Sequence, residues 1–348
     1  MLVVIVLSVI TSLTALINGS IILVILTTKK LQLPANYLIC SMASTDFLVA
    51  ILVMPLSIVY IAKEKWLLGV VVCEAWLSMD MTCCTCSILH LCAIALDRHW
   101  AITKALEYAC KRTPRHAAIM VIIVWTFAIL ISVPPLFWRY NLDKNSIMGN
   151  ETQCFIEHDH IGYTIYSTFG AFYIPLVLIL VLYYRIFIAA RTLYQRQRKS
   201  STLCERRARG ESLLHGCHSV QSHCMYELAT TDPKNPMELQ RLKAPVTVSQ
   251  MVQKISCERT QVCTSRERKA AWILGLIIGA FVFCWLPFFL KELLVGLQVL
   301  QQASPQVCEF LTWLGYINSL INPLLYTSFN QDFKQAFKKL LRPHKRMT

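Results

Sequence analysis

The chain has 348 residues, of which 55% are hydrophobic and only 16% charged, with a mean hydropathy of +0.48. Soluble globular chains carry about 25% charged residues, so this composition excludes a soluble fold and points to a polytopic membrane protein. The net charge of +14 does not read as nucleic-acid binding, because Lys and Arg fall mostly between and after the apolar runs, as they do in cytoplasmic loops.

Seven apolar segments follow in order, at approximately 2–27, 36–61, 73–103, 117–138, 162–190, 268–295 and 307–328. Each is near the roughly 20 residues that a helix needs to cross a bilayer. The first runs on to about Leu26, too long for a signal peptide, and has no basic leader or small-residue cleavage site. The expected fold is all-α, a seven-transmembrane helix bundle. After it, Asp332-Phe333 to Leu340-Leu341 repeats apolar residues at i, i+4, i+7 and i+8, which predicts a short amphipathic helix on the inner membrane face. The organisation expected is 1–190 for spans one to five, 191–267 for a long, mostly disordered cytoplasmic loop, 268–328 for spans six and seven, and 329–348 for the helix and tail.

The loops set the orientation. The first carries Lys29 and Lys30, the third Lys104, Lys111, Arg112 and Arg115 against Glu107, and the fifth and the tail are basic. The fourth holds Asp143, Glu151, Glu157 and Asp159 against Arg139 and Lys144. The odd loops and the C-terminus are therefore expected in the cytoplasm and the N-terminus outside, in a multi-pass plasma-membrane protein.

Polar residues inside the spans are the candidates for function, since a charge there is costly unless it faces a cavity or a partner. Asp46 lies near mid-membrane in span two. Ser87, Asn318, Ser319 and Asn322 reach comparable depth, and two readings stand: oxygen ligands for a hydrated cation such as sodium, or a hydrogen-bonded core that holds the helices together. In span three Asp80 and Arg98 are 18 residues apart. That is five helical turns, so both lie on one face, roughly 27 Å apart. One helix thus presents an anion near one membrane surface and a cation near the other.

Of the 15 cysteines most sit in spans or in the basic loop, as free apolar packers or cytosolic thiols. Cys73 and Cys154 both face the oxidising side, and a bridge between them is expected, pinning the fourth loop over the bundle's mouth. Asn150-Glu151-Thr152 in that loop matches a glycan acceptor, whereas Asn18-Gly19-Ser20 matches but lies inside a span. Pro55, Pro134, Pro175, Pro287 and Pro323 interrupt spans and are candidate kinks or hinges. His158-Asp159-His160 is too little for a metal site. Without a phosphate loop, HExxH or GxSxG, the sequence gives an enzyme no support.

Asn18, Asp46, Asp97-Arg98-His99, Trp125, Pro175, Cys284-Trp285-Leu286-Pro287 and Asn322-Pro323-Leu324-Leu325-Tyr326 together resemble the rhodopsin-like (class A) G-protein-coupled receptors over nearly the whole chain. Asp80, Ser167, Thr168, Phe288, Phe289 and Tyr316 look like an aminergic pocket. The stretches Pro34–Cys40, Asp80–Leu91, Tyr166–Pro175 and Thr312–Tyr316 are most similar to serotonin type-1 receptors, subtypes E and F.

That resemblance implies a biogenic-amine ligand, serotonin foremost, held by Asp80, Met81, Cys84, Thr85, Ser167, Thr168, Ala171, Trp285, Phe288, Phe289, Glu292, Thr312 and Tyr316. It implies an activation set of Asp97, Arg98, His99, Glu267, Asn322, Pro323 and Tyr326, and a heterotrimeric Gi/o partner that lowers cyclic AMP, with arrestin, receptor kinases and membrane lipid as further partners. No cofactor is implied beyond a possible allosteric sodium ion at Asp46, Ser87, Asn318 and Ser319.

Three departures stand out. His99 replaces the family's usual Tyr, which points to altered coupling or a receptor-like protein without it. The outer tail with its glycan sites is missing, as in a truncated or variant sequence. The C-terminal tail lacks the cysteine often palmitoylated. A retinal photoreceptor of the same fold needs a lysine in span seven, and 307–328 contains none. A transporter or channel would show repeated halves or charges along several spans.

Overall fold

The computed structural model describes residues 1–104, 107, 108, 111–133, 154, 161–208, 272, 273, 275–301, 303–329 and 331–341. Among the described residues there are helices and turns but no strand. In chain order they are α1 (Leu2–Thr27), α2 (Pro34–Lys63), α3 (Gly69–Thr103), α4 (Pro114–Ser132), α5 (Ile161–Ala208), α6 (Gly275–Gly296), α7 (Pro305–Phe329) and α8 (Gln331–Leu341). Residues 1–189 and 269–348 form one compact unit; 190–268 form another, of which the helical stretch to Ala208 is described.

Helices α1 to α6 each contain a stretch long and apolar enough to cross a membrane. Helix α7 has the length, 25 residues, but carries Glu309, Asn318, Asn322 and an internal Pro323. Two of its polar residues, Asn318 and Asn322, are buried. Helix α4 shows how the pattern sorts itself. Ala117, Met120, Val124, Ala128 and Ser132, spaced by three or four residues, are buried, while Ile119, Ile122, Ile123, Phe127 and Leu130 are exposed. Small residues pack against neighbouring helices and large apolar ones are left for lipid. Helix α3 is the central element, with 61% of its apolar stretch buried against 22% for α4.

The helix starts follow local rules. Pro34 and Pro114 open α2 and α4, where a missing N–H is harmless. The Thr113 hydroxyl accepts from the His116 N–H at 3.3 Å. Two of the expected kinks take a definite form. A π-turn spans Val49–Val53 just before Pro55, and another spans Phe169–Tyr173 just before Pro175. Proline cannot donate to the carbonyl four residues back and its ring crowds that carbonyl, so one wide turn relieves both. Pro134 lies outside the described residues.

Polar contacts tie the bundle at fixed points. The Asn18 amide donates to Thr14 O and to Ser319 O, joining α1 to α7. Trp125 Nε1 donates to Ser41 Oγ at 3.1 Å, and His90 Nε2 lies 2.8 Å from the same oxygen, joining α2, α3 and α4. Helix α8 forms where the apolar period predicted it; Phe333 and Ala336 bury against Ile21, Ile25 and Leu31.

One boundary differs from the sequence expectation. Helix α5 does not stop near residue 190 but continues to Ala208. The stretch 191–208 carries five Arg, two Gln and two Leu and contains no Gly or Pro. These are good helix formers, so the helix outlasts its apolar period.

Candidate functional site

The end of the bundle that holds the disulfide also holds a cleft. Cys73, in the first turn and a half of α3, is bonded to Cys154, with a Cα–Cα distance of 5.8 Å. Trp66 and Trp76 stack at 5.1 Å beside it, and the Tyr60 hydroxyl accepts from the Cys154 N–H at 3.4 Å. The expected bridge is therefore present.

The cleft is lined by Leu77, Asp80, Met81 and Cys84 of α3, Thr164, Ser167 and Thr168 of α5, Trp285, Phe288, Phe289 and Glu292 of α6, and Thr312 of α7. It encloses about 590 Å³, counting the open space at its mouth.

Asp80 is only partly buried and its carboxylate is on the wall. Tyr316 OH donates to Asp80 Oδ2 at 2.9 Å, and Cys84 Sγ donates to Oδ1 at 3.4 Å. Both donors are neutral, and among the described residues no Lys, Arg or His pairs with this carboxylate. Across the cleft the hydroxyls of Ser167 and Thr168 both donate to Thr164 O, at 3.3 and 2.6 Å. Their oxygens remain free to accept. The aromatic floor is continuous: Trp285, Phe288 and Phe289 meet edge-on or tilted at 5.3 to 5.9 Å, and Phe289 stacks on Phe172 at 4.6 Å.

Most of the expected ligand set thus gathers around one space, but three members do not line it. Thr85 and Ala171 are buried and do not reach the wall. Tyr316 is 1% exposed and sits behind Asp80, so it acts on the carboxylate rather than on the space. Leu77 and Thr164 were missed. The signal for them was available: each is three or four residues from an expected wall residue, Asp80 or Thr168, on the same helix face.

Deeper in the bundle Asp46 is 1% exposed and accepts from Asn322 Nδ2 at 3.3 Å. Asp46 Oδ1, Ser87 Oγ, Asn318 Oδ1, Asn322 Oδ1 and Asn18 Oδ1 are buried without a hydrogen-bond partner among the described residues. Ser319 also lies beside the Asp46 carboxylate. The unsatisfied Asp46 Oδ1, with Ser87, Ser319 and Asn322 beside the carboxylate, suits a small hard cation, which prefers oxygen ligands.

At the far end of α3 the arrangement is different. Asp97 is 3% exposed and meets three donors. Arg98 lies at 3.2 Å, Arg112 reaches both carboxylate oxygens at 3.0 and 2.5 Å, and Tyr108 OH donates at 2.9 Å. Burial first, then the Asp97 charge and their hydrogen bond, push the Tyr108 hydroxyl far above its ordinary range, so it remains a donor. His99 Nδ1 is buried without a hydrogen-bond partner among the described residues. Glu267, Asn150 and His158-Asp159-His160 lie outside the described residues, and the side chain of Tyr326 is not described.

Residues 17–326 match the 7 transmembrane receptor (rhodopsin family) pattern. The chain belongs to the rhodopsin family of seven-transmembrane receptors. The receptor is 56% identical over 344 residues to the 5-hydroxytryptamine receptor 1E of Homo sapiens, covering 98% of this chain and 93% of that one. The Cavia porcellus 5-hydroxytryptamine receptor 1E shows the same identity and coverage. The 5-hydroxytryptamine receptor 1F of Homo sapiens is 54% identical over 333 residues, covering 94% of this chain and 89% of that one. The receptor is a multi-pass membrane protein of a family of receptors, not of enzymes.

Proposed function

We propose that this receptor binds a biogenic amine, serotonin in the first instance, and activates an inhibitory Gi/o protein that lowers cyclic AMP. The observation that carries this reading is Asp80, a carboxylate on the wall of a cleft, met among the described residues by the neutral donors Tyr316 and Cys84. A partly desolvated anion without a cation is unfavourable, and a protonated amine entering the cleft supplies one through a charge-assisted hydrogen bond. Phe288, Phe289 and Trp285 then take the ligand's ring, and the acceptor oxygens of Ser167 and Thr168 take an indole hydroxyl. The relatives' names, 5-hydroxytryptamine receptors, favour serotonin among the amines.

In this reading the cleft and the N-terminus face outwards, and Asn150 carries a glycan. Arg98, Glu267 and the C-terminus face the cytoplasm. An active state releases Arg98 from Asp97 and Glu267, and α6 moves to open a groove for the G protein's terminal helix, with Pro323 and Tyr326 of α7 repositioned. Ligand and G protein favour one state, so each tightens the other's binding. Arrestin and receptor kinases would use the same inner face. Asp46, Ser87, Asn318, Ser319 and Asn322 would hold a sodium ion, which supplies a positive charge that the buried carboxylate lacks. A second reading, an amine receptor with weak coupling, is favoured by His99, which stands where the family usually has Tyr.

The test is a cyclic AMP assay in cells expressing the chain, with radioligand binding in parallel. A serotonin-dependent fall supports the first reading; saturable binding without a fall supports the second. No saturable amine binding contradicts both.

A further inference from the structure

Two guanidiniums hold Asp97, and they hold it unequally. Arg98, its neighbour on α3, touches one oxygen, Oδ2, at 3.2 Å. Arg112, 15 residues on and just before α4, reaches both oxygens, with Nε at 3.0 Å from Oδ1 and Nη2 at 2.5 Å from Oδ2. A guanidinium that spans both oxygens of a carboxylate makes the stronger pair. Tyr108 OH adds a neutral donor to Oδ1 at 2.9 Å. Arg112 is thus the main counter-charge of this buried carboxylate, and Arg98 the lesser one. Both arginines converge on Oδ2 with side chains 22% and 25% exposed, so their like charges repel in a partly desolvated place. Arg112 therefore loosens the hold of Asp97 on Arg98. When Arg98 leaves, a buried anion without a second cation would be stranded at a large cost. With Arg112 and Tyr108 in place it keeps its partner.

We infer that Arg112 is a positioning residue for Arg98: it keeps Asp97 paired in Arg98's absence and so lowers the cost of Arg98's release. Arg112 then favours the active state, while Asp97 opposes it. The inference rests on the G-protein-coupling reading, because it takes Arg98 to be the group that is released.

The experiment measures exchange of GDP for a labelled, non-hydrolysable GTP analogue on purified Gi, driven by membranes bearing the full chain and normalised to receptor amount. Arg112→Gln lowers the basal rate by about fivefold, the upper order for one partly exposed ion pair. In the Asp97→Asn background, whose own basal rate is raised, Arg112→Gln has no further effect, because the carboxylate it serves is gone. A merely structural role for Arg112 would lower the rate in both backgrounds. With excess GDP present to uncouple the G protein, Arg112→Gln still weakens serotonin binding, by about threefold, because the active state is rarer. A residue that only touched the G protein would leave that affinity where it was. A raised basal rate in Arg112→Gln, the sign of a residue that merely tightens the clasp, overturns the inference alone. So does a loss that persists in the Asp97→Asn background, or an unchanged rate with unchanged serotonin affinity. If the unmodified chain binds serotonin but drives no exchange with it, the coupling reading falls and takes this inference with it.

Discussion

Two carboxylates on α3, Asp80 and Asp97, sit at opposite ends of one helix and are treated in opposite ways. Asp97 is 3% exposed and is met by Arg98, Arg112 and Tyr108, so its charge is balanced within the fold. Asp80 is partly exposed on a cleft wall and is met by a phenol and a thiol, so its charge is not. Among the described residues one buried carboxylate is balanced twice over and the other meets no cation, which gives them different work. The first is a structural clasp; the second is a site whose counter-charge comes from outside. Asp46 lies between them in character, bonded by the Asn322 amide and with Ser87 and Ser319 beside it.

The comparison is easiest to break at Asp80. Asp80→Asn keeps the shape and removes the charge, and serotonin affinity is expected to fall at least about a hundredfold in saturation binding, the order lost when one partner of a desolvated charge pair goes. Asp97→Asn should leave that affinity within a few fold but cost about 3 kcal/mol of stability, because Arg98 and Arg112 lose their common anion in a buried place. A thermal-inactivation midpoint several degrees lower, with raised basal nucleotide exchange, is the expected pair of readings. Tyr316→Phe removes one neutral hydrogen bond from Asp80 and should weaken serotonin by about fivefold, corresponding to roughly 1 kcal/mol. An effect as large as that of Asp80→Asn would mean that Tyr316, not the charge, anchors the ligand.

The smallest effect belongs to an exposed pair near the Asp97 end. Lys111 Nζ donates to Glu107 Oε1 at 2.7 Å, and this bond and charge hold the Glu107 carboxyl below its ordinary value. A depressed carboxylate contributes only above the ordinary carboxylate range, and the contribution fades as pH falls through it. Both groups are exposed, so Glu107→Gln should leave the inactivation midpoint unchanged at neutral pH and at pH values near 4 alike.

The outline of the bundle was legible because lipid writes it in composition: an apolar run near the length of a span has few other readings. Asp80 was legible for the same reason, since a carboxylate inside such a run is costly. The Asp97 clasp was only half legible. Arg98 is its neighbour, but Tyr108 and Arg112 lie 11 and 15 residues on, in a loop where one basic residue looks like another. Only the fold brings them back to the carboxylate. The prolines announced irregularity without its form, since a proline specifies a missing donor and a crowded carbonyl, not the wide turn that absorbs both. Ser41 carried no signal at all, although Trp125 and His90 converge on its hydroxyl from two other helices. The extension of α5 to Ala208 was hidden because its apolar period ends before its helical propensity does.

The most direct measurement is a double comparison at the cleft: serotonin against an isostere with a carbon in place of the ammonium nitrogen, on the unmodified chain and on Asp80→Asn. If Asp80 waits for an external cation, the unmodified chain prefers serotonin by at least about a hundredfold, and the preference collapses towards unity in the variant. A preference that survives the loss of the carboxylate, or a neutral isostere that binds the unmodified chain as tightly as serotonin, would contradict the account.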